Sequence, residues 1–178
     1  MPKAKPAGGR GPFVLDTHVW IWMLEGVRKE LSSATVKLIE EAGGNAGLAV
    51  AAISVWEVAM LEARGRISLS QSVDEWVGAA LTAPGVRLVE LSPEIALEST
   101  RLPGEPPKDP ADRMIVATTR VLGATLVTCD GGDSGLRVNR SRSSSEWQES
   151  VVATGTAHFQ FQKSVAVDSF SFAASIFR

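Results

Sequence analysis

Four acids are placed where a hydrolytic metal centre would want them. Asp16 closes the apolar run Phe13-Val14-Leu15, and Asp130 closes Leu126-Val127-Thr128-Cys129. Glu57 falls within a helical stretch, and Asp112 opens another. Asp16 and Asp130 each follow what reads as a buried parallel strand, and open α/β sheets bind ligands beyond the carboxyl ends of their strands. Carboxylates gathered there repel unless a cation or a proton intervenes. Each acid also has a plainer reading. Glu57 stands three residues after Ser54, the spacing of a capping box. Asp109-Pro110 is a good helix start, which would put Asp112 at the third helical position, where the macrodipole favours an anion. Asp16 and Asp130 have no such role, and an unpaired carboxylate emerging from an apolar strand is costly. Taken together, the four favour a site.

The elements that must position them follow from pattern and punctuation. Phe13 to Leu15 forms a short strand, and Val19 to Leu24 gives the first turns of a helix entered from Asp16-Thr17. Ser32 or Ser33 caps a helix through Val36, Leu38 and Ile39 that stops at Gly43-Gly44. Leu48 to Ile53, small and β-branched, reads as a buried strand, and Ser54 starts the helix carrying Glu57 that ends near Gly65. Ser72 to Leu81 has Ser72 and Glu75 at capping-box spacing. Val86 to Leu91 alternates as a strand, Ser92-Pro93 opens a helix, and Leu102 to Asp109 is a Pro-rich loop. Pro110 to Leu122 is a helix ended by Gly123, and Ala124 to Thr128 is the next strand. Strands alternating with helices imply an α/β fold of three layers, with a central parallel sheet and helices on both faces.

Composition narrows the rest. A chain of 178 residues is long enough for one real core. No apolar run approaches the roughly 20 residues of a membrane span, so a soluble protein without membrane contact is expected. Residues 1–12 carry Lys3, Lys5 and Arg10 among Pro and Gly with no apolar signal stretch, and are expected to be a disordered leader. Cys129 is the only cysteine, which rules out an intrachain disulfide and makes the cytoplasm the natural compartment. In an apolar strand it reads as a structural thiol rather than a nucleophile. A net charge of −2 argues against nonspecific coating of nucleic acid, but leaves room for a local basic rim.

At four points the residues resemble the PIN-domain ribonucleases, specifically the VapC-like toxins of bacterial toxin–antitoxin pairs. The blocks are Val14-Leu15-Asp16-Thr17-His18-Val19-Trp20-Ile21-Trp22, Ser54-Val55-Trp56-Glu57-Val58-Ala59, Asp109-Pro110-Ala111-Asp112-Arg113-Met114-Ile115-Val116-Ala117 and Leu126-Val127-Thr128-Cys129-Asp130. Any one would be weak; four in order make a strong signal. The resemblance implies that Asp16, Glu57, Asp112 and Asp130 surround one or two divalent cations. It implies that Asp109 is a helper or helix cap, and that the Thr17 and Thr128 hydroxyls contact ligand or water. It also implies a bacterial cytoplasmic ribonuclease, a small cognate antitoxin covering the crevice, and often a homodimer.

The residue types agree. Hard oxygen donors without imidazole or thiolate select Mg²⁺ or Mn²⁺ over zinc, and such an ion supports in-line hydrolysis of an RNA phosphodiester. A 5′-phosphate and a 3′-hydroxyl product are implied by the resemblance. Lys108, Arg113, Arg64 and Arg66 flank the acid-bearing segments and are the candidates for phosphate contacts, with bracing of the acids as the other role open to Arg113. His18 is the tempting general base, but beside a Trp-rich helix it reads better as a packing group. Trp20, Trp22 and Trp56 could stack bases; at helical spacing among Val, Ile and Met, core or partner contact is the better reading.

The pattern breaks after Asp130. Residues 131–145 show neither helical nor strand periodicity, five of six phenylalanines fall in the last twenty residues, and leucine is reduced to Leu136. Residues 13–130 are therefore expected to form the catalytic unit, and residues 131–178 an atypical tail of the kind a frame change or a fusion would produce, with a genuine added element as the alternative. If the tail removes support for Asp130, the chain becomes a PIN-like module that binds antitoxin or RNA without cutting. A phosphatase with a strand-end aspartate nucleophile is the weaker alternative, because His18 occupies the place where a second aspartate is needed.

Overall fold

The computed structural model describes residues 12–27, 30–45, 47–129 and 136–140. Five strands, β1 (Phe13–Leu15), β2 (Leu48–Ala51), β3 (Val86–Val89), β4 (Thr125–Cys129) and β5 (Leu136–Arg140), form one sheet in the order β3-β2-β1-β4-β5. The first four are mutually parallel and β5 is antiparallel to β4. Six helices, α1 (Thr17–Leu24), α2 (Ser33–Gly44), α3 (Ala52–Ala63), α4 (Val73–Thr82), α5 (Pro93–Ser99) and α6 (Pro110–Val121), make the connections.

Successive strand residues point to opposite faces, and both faces of this sheet are covered. Phe13, Leu15, Leu48, Val50 and Val127 join Val19, Trp20 and Met23 of α1, Ile39 of α2 and Trp76 of α4 in the larger core. Val14, Ala49 and Ala51 join Ile115 of α6 on the other face, with Ile53, Leu122 and Leu126 packed around them. This is the expected three-layer arrangement. Trp20 and Trp76 are both fully buried and meet edge to face, with ring centroids 5.0 Å apart. Trp76 Nε1 donates to Glu25 Oε1 at 2.6 Å.

Local chemistry accounts for most helix starts. Ser32, Ser72, Ser92 and Asp109 each accept a backbone N–H of the first turn of α2, α4, α5 and α6. At its far end α2 stops at Gly44, as the Gly43-Gly44 pair led one to expect. Gly85, at φ +77°, turns into β3 so close to α2 that a Cβ there would meet the Gly43 carbonyl at 2.0 Å.

Two expectations need correction. Leu48 to Ile53 is not one strand: β2 ends at Ala51 and α3 follows at once from Ala52, with no side-chain cap. Ile53 was β-branched bait; its side chain serves the smaller core from the flank of a helix. The stretch after Asp130 is not without regular structure either, since residues 136–140 complete the sheet as β5. The expected leader, Asp130 and the segment carrying the five phenylalanines lie outside the described residues, as does the Cys129 side chain.

Candidate active site

The carboxyl ends of β1, β2 and β4 converge, and the helices that leave them carry the acids. The β1–β4 ladder extends one step beyond the strand, through a 3.0 Å bond from the Asp16 N–H to the Val127 carbonyl, so Asp16 is pinned beside the end of β4. Its carbonyl accepts the Trp20 N–H and starts α1, while its side chain makes no capping bond. Instead Asp16 Oδ2 accepts the Thr128 hydroxyl at 2.5 Å. The Asp16 carboxylate is thus held at the end of β4 and not spent on capping α1.

Glu57 reaches the same place from α3. Because α3 starts at Ala52, Ser54 lies inside its first turn rather than at its cap, and the capping-box reading of Glu57 falls. Ser54, Val58 and Leu61 face the core at helical spacing, and Glu57 stands on the flank. Glu57 Oε2 accepts the Thr17 hydroxyl at 2.7 Å. Thr17 is fully buried in the first turn of α1, and the two hydroxyls expected to contact ligand or water each hold one acid.

Asp112 comes from the first turn of α6, where Asp109 is the cap: Asp109 Oδ1 accepts the Ala111 N–H at 2.7 Å. Burial and the charges of Asp16, Glu57 and Asp109 push the Asp112 carboxyl up to about 7, with His18 pulling the other way. Glu57 is also raised, chiefly by burial, with the Thr17 hydroxyl opposing and Asp16 and Asp109 adding. Acids from three separate stretches therefore feel one another. Among the described residues, no three acid, histidine or cysteine side chains are already gathered into a coordination sphere. The fourth expected acid, Asp130, follows directly on β4 but lies outside the described residues.

Of the expected phosphate contacts, Lys108 is exposed just before the Asp109 cap. Arg113 is committed elsewhere, its Nε donating to the Pro107 carbonyl at 2.6 Å and tying the Pro-rich loop to α6. Arg64 caps the far end of α3, about 10 Å along the axis from Glu57 at 1.5 Å per residue, and Arg66 follows it. His18 is tilted against Trp22 with ring centroids 5.8 Å apart, a packing contact, while its charge still reaches Asp112.

The tryptophans divide. Trp20 and Trp22 are buried in the core, whereas Trp56, opposite the buried face of α3, is 55 % exposed. Sequence reasoning missed Ser54 as an interior group: its hydroxyl is fully buried and finds no hydrogen-bond partner among the described residues. Nothing in the pattern marked it, because a serine before an apolar helix reads as a cap.

A family profile described as PIN domain matches residues 13–132. The chain is also 41 % identical over 117 residues to Ribonuclease VapC22 of Mycobacterium tuberculosis, an alignment that covers 66 % of this chain and 85 % of the relative.

Proposed function

The chain belongs to the PIN-domain family, and from that premise we propose that it is an endoribonuclease, the toxin of a type II toxin–antitoxin pair, that hydrolyses RNA with Mg²⁺ or Mn²⁺. The observation that carries this reading is the electrostatic cluster. Asp16, Glu57 and Asp112 come from three elements, and burial first, then the charges of Asp16, Glu57 and Asp109, raise Asp112 to about 7. A protein gains nothing in stability from such repulsion; a hard divalent cation relieves it. The donors fit that ion in type, being carboxylate oxygens alone. Asp16, Glu57, Asp112 and Asp130 would hold it. When bound, the ion supplies a water of lowered pKa and stabilises charge on the leaving oxygen.

The chain's own residues do the positioning. Thr128 fixes the Asp16 carboxylate and Thr17 that of Glu57, so two acids enter the site with one oxygen already engaged and the other available. Asp109 holds α6 by its first turn and thereby sets Asp112. Lys108, exposed next to the Asp109 cap, is suited to a backbone phosphate. The non-cutting alternative drew on altered support for Asp130, which lies outside the described residues, while β5 supplies a strand beside β4.

The catalytic unit is proposed to span residues 13–130, with β5 bracing it. A cognate antitoxin is the expected regulator, and exposed Trp56 suits contact with a protein partner, such as a second copy in a homodimer. No helix among the described residues is long and apolar enough to cross a membrane, and the cytoplasm, where the RNA is, is the proposed site of action. The test compares the parent with Asp16→Asn on single-stranded RNA, with Mg²⁺, with Mn²⁺ and with EDTA. Cleavage to 5′-phosphate products by the parent alone, abolished by EDTA, is expected. Cleavage by both proteins, or in EDTA, would refute the assignment.

A further inference from the structure

The helix that carries Glu57 also carries the one exposed tryptophan among the described residues. Because α3 leaves β2 at once, its first turns stand at the carboxyl end of the sheet. Ser54, Val58 and Leu61 mark its buried face. At about 100° per residue, Glu57 stands about 60° to one side of that face, and Trp56 about 100° further round in the same direction. Half-buried Met60 falls between the two. This flank of α3 therefore runs from Glu57, whose Oε2 accepts the Thr17 hydroxyl, over Met60 to an indole that is 55 % exposed.

Core packing accounts for Trp20 and Trp22, which are buried, and leaves Trp56 over. Within two turns on its side of the helix stand only alanines, Ala52, Ala59 and Ala63, besides Met60. The other large apolar side chains exposed among the described residues, Leu88, Leu91 and Leu97, belong to β3, the stretch after it and α5. A lone flat ring among small residues suits a planar ligand better than a packed protein interface, whose centre is a cluster of buried anchors. An RNA strand led toward Asp16, Glu57, Asp109 and Asp112 brings phosphates against like charges. Stacking on an aromatic face carries no such penalty, and it accepts any base because every base has a π-face.

Building on the ribonuclease reading, we propose that Trp56 stacks a base of the single-stranded RNA substrate beside the acid cluster, at a nucleotide flanking the phosphate that is cut. A protein partner seated on Trp56 then competes with the RNA for the same ring.

Binding of labelled single-stranded RNA to the full chain tests this, measured with Mg²⁺ in an Asp112→Asn background so that the strand stays intact. Trp56→Ala is expected to weaken binding by about fivefold to a hundredfold, the range for one base stacked on an aromatic ring. The slope of log K against log salt should not change, since no phosphate contact is lost. Trp56→Leu, which keeps apolar bulk without the aromatic face, should lose as much, and Trp56→Phe should recover part of the loss. RNAs with a single abasic position moved along the strand locate the stacked base. At one position its removal should cost the Trp56 protein what Trp56→Ala costs, and should cost Trp56→Ala nothing further. Because Trp56 is exposed, the melting temperature and its rise with Mn²⁺ should hold. Should Trp56→Ala melt lower, Trp56→Leu and Trp56→Phe carry the comparison. RNA affinity equal with and without the indole would overturn the proposal. So would full recovery by Trp56→Leu, the mark of an apolar protein contact, or a loss spread equally over every abasic position. A chain that binds RNA without cutting it would strike the hydrolytic reading alone, because the same comparison still decides Trp56.

Discussion

Replacing Asp112 by asparagine removes a carboxyl that the metal-free protein holds against its own preference. The group titrates at about 7 in the fold and near 3.8 without it. A carboxyl whose folded value is raised favours the folded state while it is protonated. Its contribution is therefore fully present below about pH 4 and is lost as pH rises toward and through 7. At about 1.36 kcal/mol per pH unit, a gap of roughly three units sets a ceiling of about 4 kcal/mol. Asp112 is partly exposed, and screening by solvent reduces this to about 1–2 kcal/mol. Asparagine keeps the size and the helical position without the charge. In EDTA, thermal melts of parent and Asp112→Asn should coincide near pH 4 and separate as pH rises. By pH 8 the variant should melt about 3–5 °C higher. Metal should reverse the order. Mn²⁺ at a hundredfold excess over its dissociation constant stabilises a binding protein by about 2.7 kcal/mol, and the parent should gain more of this than the variant, which should also fail to cut RNA. Parallel pH profiles in EDTA, or equal stabilisation of both proteins by metal, would show that Asp112 neither carries the strain nor holds the ion.

Thr128→Val keeps the shape and the strand preference but removes the donor to Asp16 Oδ2. RNA cleavage should fall about tenfold, and stability by about 1 kcal/mol; a parental cleavage rate would mean that Asp16 needs no such anchor. Arg113→Ala should lower the melting temperature through loss of the bond to Pro107 while leaving the salt dependence of RNA binding intact. Lys108→Ala should do the reverse, reducing the salt slope by about 1 with little change in melting, and an exchange of these two outcomes would exchange the roles assigned to them.

Where a residue's type carried its role, the sequence was readable. Asp16 and the apolar residues before it announced a strand end with an acid to spare, and the serine and Asp-Pro caps announced four helices. The start of α3 was not readable, because no local signal makes it. Ala51 offers no cap, Ile53 favours a strand in isolation, and the helix begins there because Ile53 and Val58 can serve the two cores at once. Ser54 was misread for the same reason. β5 was hidden by its length and composition: five residues with Arg, Asn and Arg at three positions lack a strand signature, and pairing with β4 supplies what the sequence does not. The commitment of Arg113 to Pro107 is a contact across a loop, which spacing along the chain cannot reveal.

The bond between Thr128 and Asp16 joins residues 112 positions apart. β1 lies between β2 and β4 in the sheet, and synthesis delivers these neighbours at very different times. A nascent chain that has emerged as far as α3 has Asp16 and Glu57 and one side of the sheet. It has neither Asp112 nor the strand that closes the other side of β1. The acid cluster therefore cannot assemble until β4 has left the exit tunnel, because the long loop between its halves must close last. A chain that cuts RNA is made by a machine built of RNA and reading RNA. The strand order denies the complete cluster to any copy whose β4 is still inside the tunnel.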